Sequence, residues 1–151
     1  MIKILSILIF NTLISFHVSK LDLQFIENNY DKAVDDKKLC AQMIEDLKSS
    51  ADDPVHLAYL GGLQTIWANH VINPLSKLRT FKEGKAKIEK AVVKDPLSVN
   101  VRYIRLSVQK NAPSFLGYNK NIKEDVKFLK NNRAKIKAAV VLKNVDKLLK
   151  Q

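Results

Sequence analysis

The stretch that decides the fold is Asp53-Pro-Val-His-Leu-Ala-Tyr-Leu-Gly61-Gly62-Leu-Gln-Thr-Ile-Trp67-Ala-Asn-His70-Val71. Its first two residues predict a helix start, because Asp accepts hydrogen bonds from the free amides of a first turn and proline is best tolerated there. The residues that follow are apolar on nearly every side, which indicates a helix at the centre of a bundle. Glycine in mid-helix costs about 1 kcal/mol relative to alanine, so we expect a neighbouring helix to pack closely at Gly61–Gly62.

Apolar residues recur at helical spacing on both sides of this segment, and no alternating strand pattern competes with them. Further helix starts are indicated at Asp35 or Asp36, Asn73–Pro74, Ser98 and Asn121, and Thr80 with Glu83 has the spacing of a capping box. The predicted helices cover about 22–35, 37–49, 81–94, 99–110, a segment opening at 121, and 133–150. The sequence therefore predicts an all-α fold of six or seven helices in antiparallel pairs.

A loop is predicted over Asn111–Asn119, because it contains a proline and a glycine. Its side chains Phe115, Leu116 and Tyr118 are strongly apolar, so we expect the loop to pack against the bundle rather than extend into water.

The N-terminus has the pattern of a secretory signal peptide. Lys3 is followed by about a dozen mostly apolar residues, whereas a membrane span needs roughly 20. We expect a signal peptide over residues 1–19, a single domain over 20–151, and a protein that is periplasmic or secreted. An uncleaved anchor and an apolar first helix are the alternatives.

Charge is distributed unevenly along the chain, whose formal net charge is +11. Residues 22–53 contain four Lys and nine Asp or Glu, whereas residues 54–119 and 120–151 each contain ten basic and three acidic residues. The basic segments favour an anionic envelope polymer or lipid as a partner. Nucleic acid is disfavoured, because Lys outnumbers Arg by 22 to 4 and planar phosphate recognition favours Arg.

Catalytic and metal-binding patterns are absent from the sequence. His56 and His70 lie about 21 Å apart on one predicted helix, so they cannot share a metal ion. Cys40, the single cysteine, lies on an apolar stripe and is interpreted as a small buried residue. We find no phosphate-binding glycine loop and no nucleophile elbow. The sequence therefore predicts a protein that is not an enzyme and needs neither a cofactor nor a metal.

Two side-chain groups are candidates for binding. Trp67 and His70 end an aromatic stripe on the central helix and could grip a peptide, although a core Trp and a satisfied His explain the same pattern. Arg102, Arg105 and Gln109 point one way on one helix and precede the loop that carries Tyr118. Arginine suits a partner's carboxylate, but also internal pairing with Glu89, Asp95 or Asp125.

One segment resembles the second helix of a tetratricopeptide repeat: Phe81-Lys-Glu-Gly84-Lys-Ala-Lys-Ile88-Glu-Lys-Ala91-Val-Val-Lys-Asp-Pro96. Gly84, Ile88, Ala91 and Pro96 match the family's small, large, small and helix-ending positions. Leu60–Gly61 is similar to the Leu–Gly pair of the family's first helix, with a longer Val71–Thr80 connection than the family's tight turn. The resemblance implies a right-handed helical stack with irregular repeats, because no 34-residue period recurs along the chain.

The chain also resembles a family of small exported bacterial proteins. The resemblance lies in three segments, which are His56–Gly62, Arg102–Gln109 and Pro113–Tyr118. It implies the fold and export but brings no activity with it. Together with the tetratricopeptide resemblance, it suggests a non-enzymatic module that docks an unidentified protein or peptide on a concave helical surface. A binder of anionic envelope polymer or lipid through the Lys-rich C-terminal half is the alternative.

Overall fold

The computed structural model describes residues 22–151, and the predicted signal peptide lies outside this range. Its helices are α1 (Leu23–Asn29), α2 (Lys37–Lys48), α3 (Pro54–His70), α4 (Pro74–Lys94), α5 (Val99–Asn111), α6 (Ile122–Asn132) and α7 (Ala139–Lys150). Short 3₁₀ turns occupy Asp31–Val34, Ser114–Leu116 and Arg133–Lys135. Residues 22–151 contain no β-strand, so the predicted all-α class is confirmed.

Helix α3 lies at the centre of the bundle. Its start is the predicted one, since an Asp53 carboxylate oxygen accepts hydrogen bonds from the amides of Val55 at 2.8 Å and His56 at 3.0 Å. α2, α4, α5 and the first 3₁₀ turn all pack against α3. A helix that is apolar on nearly every side needs neighbours on nearly every side, because exposed apolar surface is unfavourable in water.

The two glycines of α3 mark its closest contacts, as predicted. A Cβ on Gly61 would lie 2.6 Å from the carbonyl oxygen of Gly84 and 2.9 Å from Ile88, both on α4. A Cβ on Gly62 would meet the hydroxyl of Tyr30 and the side chain of Ile104. Since Gly61 also meets Ile88 while Thr65 meets Gly84, α3 and α4 run antiparallel.

Helix α4 is longer than the sequence predicts. It begins at Pro74, where the Asn73 side chain accepts a hydrogen bond from the Ser76 amide at 3.0 Å. The predicted helix start at Thr80 and the predicted long connection are both wrong, because Thr80 lies inside α4 and only residues 71–73 join α3 to α4. Residues 75–80 contain neither glycine nor proline, so nothing stops the helix that Pro74 opens.

The remaining helices follow the prediction with two interruptions. Asp36 and Ser98 cap α2 and α5 by accepting hydrogen bonds from the amides of Leu39 and Val101. The predicted helix over 22–35 is split by the 3₁₀ turn Asp31–Val34, and the predicted helix over 133–150 begins only at Ala139. α6 and α7 pack on α5, and α7 also contacts α1.

The core contains four tyrosines, three of which pack together, and the single cysteine. Tyr30 packs edge-on against Tyr59 and Tyr103, with ring centroids 5.4 Å and 6.3 Å apart. Cys40 is buried as predicted and its Sγ lies 3.5 Å from the carbonyl oxygen of Leu63. Burial raises the pKa of the Cys40 thiol to about 11, so the thiol is neutral at physiological pH.

The loop between α5 and α6 packs only in part against the bundle. Tyr118 is buried and Leu116 is half-buried, whereas Phe115 is exposed, so the expectation that it is covered is wrong. Successive side chains of a 3₁₀ turn point about 120° apart, and one short turn therefore cannot bury all of them. Gly117 then adopts a φ of 62°, which favours glycine and reverses the chain before Tyr118.

Substitution of Gly84 by Ala tests the close α3–α4 contact. A Cβ there would lie 2.5 Å from the backbone oxygen of Gly61, so we expect Gly84→Ala to lower the free energy of unfolding by about 1–3 kcal/mol. Helix propensity alone predicts the opposite, a gain of about 1 kcal/mol. The exposed Ala86→Gly, two residues later, is the control and should cost about 1 kcal/mol. Urea unfolding measures all three proteins, and a stabilised Gly84→Ala variant would contradict this packing.

Candidate functional site

The two candidate arginines lie on a buried face of α5 and converge on one carboxylate of α6. Arg105 donates from Nε to Oδ2 of Asp125 and from Nη2 to Oδ1, both at 2.7 Å, which is a bidentate ion pair. Arg102 donates from Nη1 to the same Oδ1 at 2.8 Å. Asp125 has 0% of its surface exposed, so two guanidinium groups hold a carboxylate that water does not reach.

Two glutamates extend this cluster to its rim. Glu124 of α6 accepts from Arg102 at 2.5 Å, and this hydrogen bond lowers the pKa of Glu124. Glu89 of α4 lies 3.5 Å from Arg105 and accepts the Tyr118 hydroxyl at 2.5 Å. Burial, followed by the hydrogen bond to Glu89, raises the pKa of Tyr118 above its usual range. The ion cluster therefore joins α4, α5, α6 and the loop before α6.

These contacts determine the charge of Arg105 and the partners of both arginines. Burial opposes the charge of Arg105, but the hydrogen bond and the charge of Asp125 outweigh it and raise the pKa of Arg105. The sequence allows the arginines either to bind a partner's carboxylate or to pair inside the protein, and the observed contacts are internal pairs. Glu89 and Asp125 are expected partners, and Glu124 is an additional one. Asp95, the third expected partner, instead accepts a hydrogen bond from the Leu97 amide at 3.2 Å.

Asp125 could have been identified as a buried residue from the sequence. It lies three residues after Ile122 and four before Leu129, which places it on the apolar stripe of α6. A carboxylate on such a stripe needs a buried cation, because an unpaired charge is too costly in a core. That signal favours internal pairing, whereas the spacing of the arginines alone favours neither role.

Gln109 occupies the next turns of the same α5 face, beside a cavity. Only 3% of Gln109 is exposed, its Nε2 donates to Asn121 at 3.4 Å, and its buried Oε1 receives no hydrogen bond from residues 22–151. A cavity of about 300 Å³ lies next to it, with Tyr118 also in its wall. The other lining residues are Lys110, Ala112, Pro113, Ser114, Asn119, Ile122 and Gln151.

Trp67 and His70 form a separate group at the end of α3. His70 Nε2 lies 3.0 Å from the carbonyl oxygen of Ala33, and the rings of Trp67 and His70 are 5.8 Å apart. The ammonium group of Lys37 lies 5.4 Å from the centre of the Trp67 ring. The structure thus brings Arg102, Arg105, Gln109 and Tyr118 together, whereas Trp67 and His70 lie beside the first 3₁₀ turn.

The lysines of residues 120–151 form an exposed basic surface. All three acidic residues of this segment pair with arginine: Glu124 and Asp125 with those of α5, and Asp146 with Arg133 at 2.6 Å. Within residues 22–151, no lysine of this segment forms an ion pair. We call these exposed residues the lysine surface: Lys120, Lys123, Lys127, Lys130, Lys135, Lys137, Lys143, Lys147 and Lys150.

Two kinds of feature are absent from residues 22–151. No group of three or more His, Cys, Asp and Glu side chains in that range is arranged to hold a metal ion. Across the same residues, no helix combines the length and the apolar composition needed to cross a membrane.

Neutralising Asp125 tests the ion cluster. We expect Asp125→Asn to lower the free energy of unfolding by about 3–5 kcal/mol, because it leaves two buried guanidinium groups without their main counter-charge. Glu124→Gln is the matched control, since Glu124 is 54% exposed and its loss should cost under about 1 kcal/mol. Urea denaturation measures both variants, and equal effects would show that Asp125 is not the centre of the cluster.

No protein-family description, no curated protein and no solved structure matches the chain.

Proposed function

We propose that this protein is a non-enzymatic binding module that engages an anionic polymer or lipid through its lysine surface. The observation that carries the proposal is the allocation of carboxylates in residues 120–151. Every acidic side chain of that segment is held by an arginine, so nine exposed lysines are left without an ion pair among residues 22–151.

Spacing along the helices adds to the argument. Lys123 and Lys127 on α6, and Lys143 and Lys147 on α7, stand four residues apart, where like charges destabilise a helix by a few tenths of a kcal/mol per pair. An anionic partner would relieve this repulsion, and the relief would add to its binding free energy. Lysine suits such a partner, because a flexible point charge follows a polymer or lipid headgroups without fixed geometry.

A groove beside α7 gives the lysine surface a defined centre. It encloses about 740 Å³ and is bordered by Lys143, Lys147 and Lys150 on one helix face. Asp31 and Asp146 also border it, but Arg133 already pairs with Asp146. Burial raises the pKa of Asp31 and nearby Lys147 lowers it. A single carboxylate offsets only part of the positive charge of the three lysines.

Removing charge from the groove tests this function. We expect Lys143→Gln/Lys147→Gln to elute from immobilised heparin, used as a soluble-polymer probe, at clearly lower salt than the unmodified protein. Lys87→Gln/Lys90→Gln on α4 removes the same charge outside the lysine surface and is the matched control. Equal shifts for the two variants would indicate net charge alone, and elution of the unmodified protein without added salt would refute the proposal.

We also propose a tetratricopeptide-like relationship for α3 and α4. Support comes from the antiparallel pair itself, its connection of only three residues and the packing of Gly61 against Gly84 and Ile88. Gly61, Gly84 and Ile88 are among the residues on which the resemblance rests. Export remains a proposal founded on residues 1–19, and it would place the lysine surface opposite envelope polymers and lipids.

A second candidate function is peptide docking at the cavity beside Gln109. The observation that favours it is the Oε1 atom of Gln109, which is buried and receives no hydrogen bond from residues 22–151. An unsatisfied buried acceptor costs about 1–3 kcal/mol. Because Gln109 lines the cavity, a rotation of its side-chain amide would bring Oε1 to a peptide N–H there and remove that cost. Since Arg102 and Arg105 are held by internal partners, they would shape this site rather than anchor the peptide's charge.

Gln109→Met distinguishes a binding role from a structural one. Methionine keeps the length of the side chain and removes the unsatisfied oxygen, so we expect the free energy of unfolding to rise by about 1 kcal/mol. Peptides selected on the unmodified protein from a random library should bind the variant more weakly. The exposed Gln42→Met is the control for both measurements. A destabilised Gln109→Met variant, or a library without binders, would argue against peptide docking.

A further inference from the structure

The connection between α3 and α4 exposes large apolar side chains where a soluble surface usually avoids them. Ile72 is 97% exposed, Leu75 is 79% exposed, and Leu78 is also exposed one turn further along α4. We call residues 71–79 the hairpin tip. Its apolar side chains project from the three-residue turn and from the first turns of α4, at the end of two tightly packed helices, so they form a protrusion rather than a groove.

Cations accompany these apolar side chains. Lys77, Arg79 and Lys82 are exposed on the first turns of α4, and none of them forms an ion pair with residues 22–151. From Pro54 to Lys82 the chain contains no acidic residue. The adjoining segment 31–38 carries three Lys and three Asp, and the exposed Glu83 follows Lys82 directly, so Lys77, Arg79 and Lys82 leave a net positive charge beside the hairpin tip.

We propose that the hairpin tip inserts Ile72 and Leu75 into the surface of an anionic lipid bilayer, with Lys77, Arg79 and Lys82 at the level of the phosphates. A lipid surface suits this geometry, because a few apolar side chains beside cations are enough for interfacial binding. A stable protein interface instead buries about 800 Å² per partner, which three side chains on a protrusion do not provide.

The hairpin tip and the lysine surface are separate sites, so the failure of one leaves the other standing. Lipid insertion depends on Ile72 and Leu75, whereas polymer binding depends on the lysines of α7. Variants of the two sites are therefore tested in parallel on the full chain.

Trp67 provides the signal for the test. It is the only tryptophan of the chain and lies five residues before Ile72, half-buried at the same end of α3. Bromine atoms on lipid acyl chains quench a nearby indole, so quenching reports on this end of the protein. The apolar N-terminal segment contains no tryptophan, and its own contact with lipid would not produce the signal.

The vesicles contain brominated phosphatidylcholine with or without phosphatidylglycerol. We expect the anionic vesicles to quench the fluorescence of Trp67. The Ile72→Ser/Leu75→Ser variant should need at least about ten times more lipid for the same quenching. The matched control is Val93→Ser/Leu97→Ser, whose residues are 82% and 74% exposed at the other end of α4, roughly 27 Å away. We expect this control to be quenched like the unmodified protein.

Three results would overturn the proposal. The first is the absence of Trp67 quenching in the unmodified protein, and the second is an equal loss in the tip and control variants. The third is sedimentation of the unmodified protein as a dimer and of Ile72→Ser/Leu75→Ser as a monomer without lipid, which would assign the tip to a second copy of the chain. Circular dichroism confirms that each variant keeps its helices.

Discussion

The ion cluster around Asp125 connects α6 to α4 and α5. A carboxylate with no exposed surface has to be paired, and Arg102 and Arg105 supply three hydrogen bonds to it from α5. Through Glu89 the same cluster reaches α4 and Tyr118. The position of α6, the course of the loop before it and the burial of one face of α5 all depend on this pairing.

The cluster also determines which charges remain available for binding. The arginines of α5 pair with Glu124 and Asp125 of α6, and Arg133 pairs with Asp146, so no acidic residue of 120–151 is left to pair with the lysines of that segment. The basic character of the C-terminal surface is thus a consequence of pairing in the interior as much as of composition. Lysine is the more suitable cation for a diffuse anionic partner, whereas arginine is better suited to the fixed bidentate pair.

Close packing of two backbones determines the arrangement of α3 and α4. Gly61 and Gly84 let α3 and α4 approach closely, and a three-residue connection completes the antiparallel pair. So short a turn has no room to fold Ile72 back onto the bundle, and Leu75 is exposed on the first turn of α4.

The sequence by itself determined the all-α class, the start of α3 at Asp53–Pro54, the cap at Ser98 and the close packing at Gly61–Gly62. These features depend on neighbours within a turn or on the apolar pattern of one helix, which the sequence displays directly. Only the tertiary structure decided that α4 continues through Thr80, that Phe115 is exposed and that Arg102 and Arg105 face Asp125. A capping motif does not start a new helix where a helix has already begun upstream. The spacing of two arginines shows that they share a helix face, but it does not show which residue they pair with. The burial of a charge is decided by residues twenty or more positions away, which meet only when the helices pack.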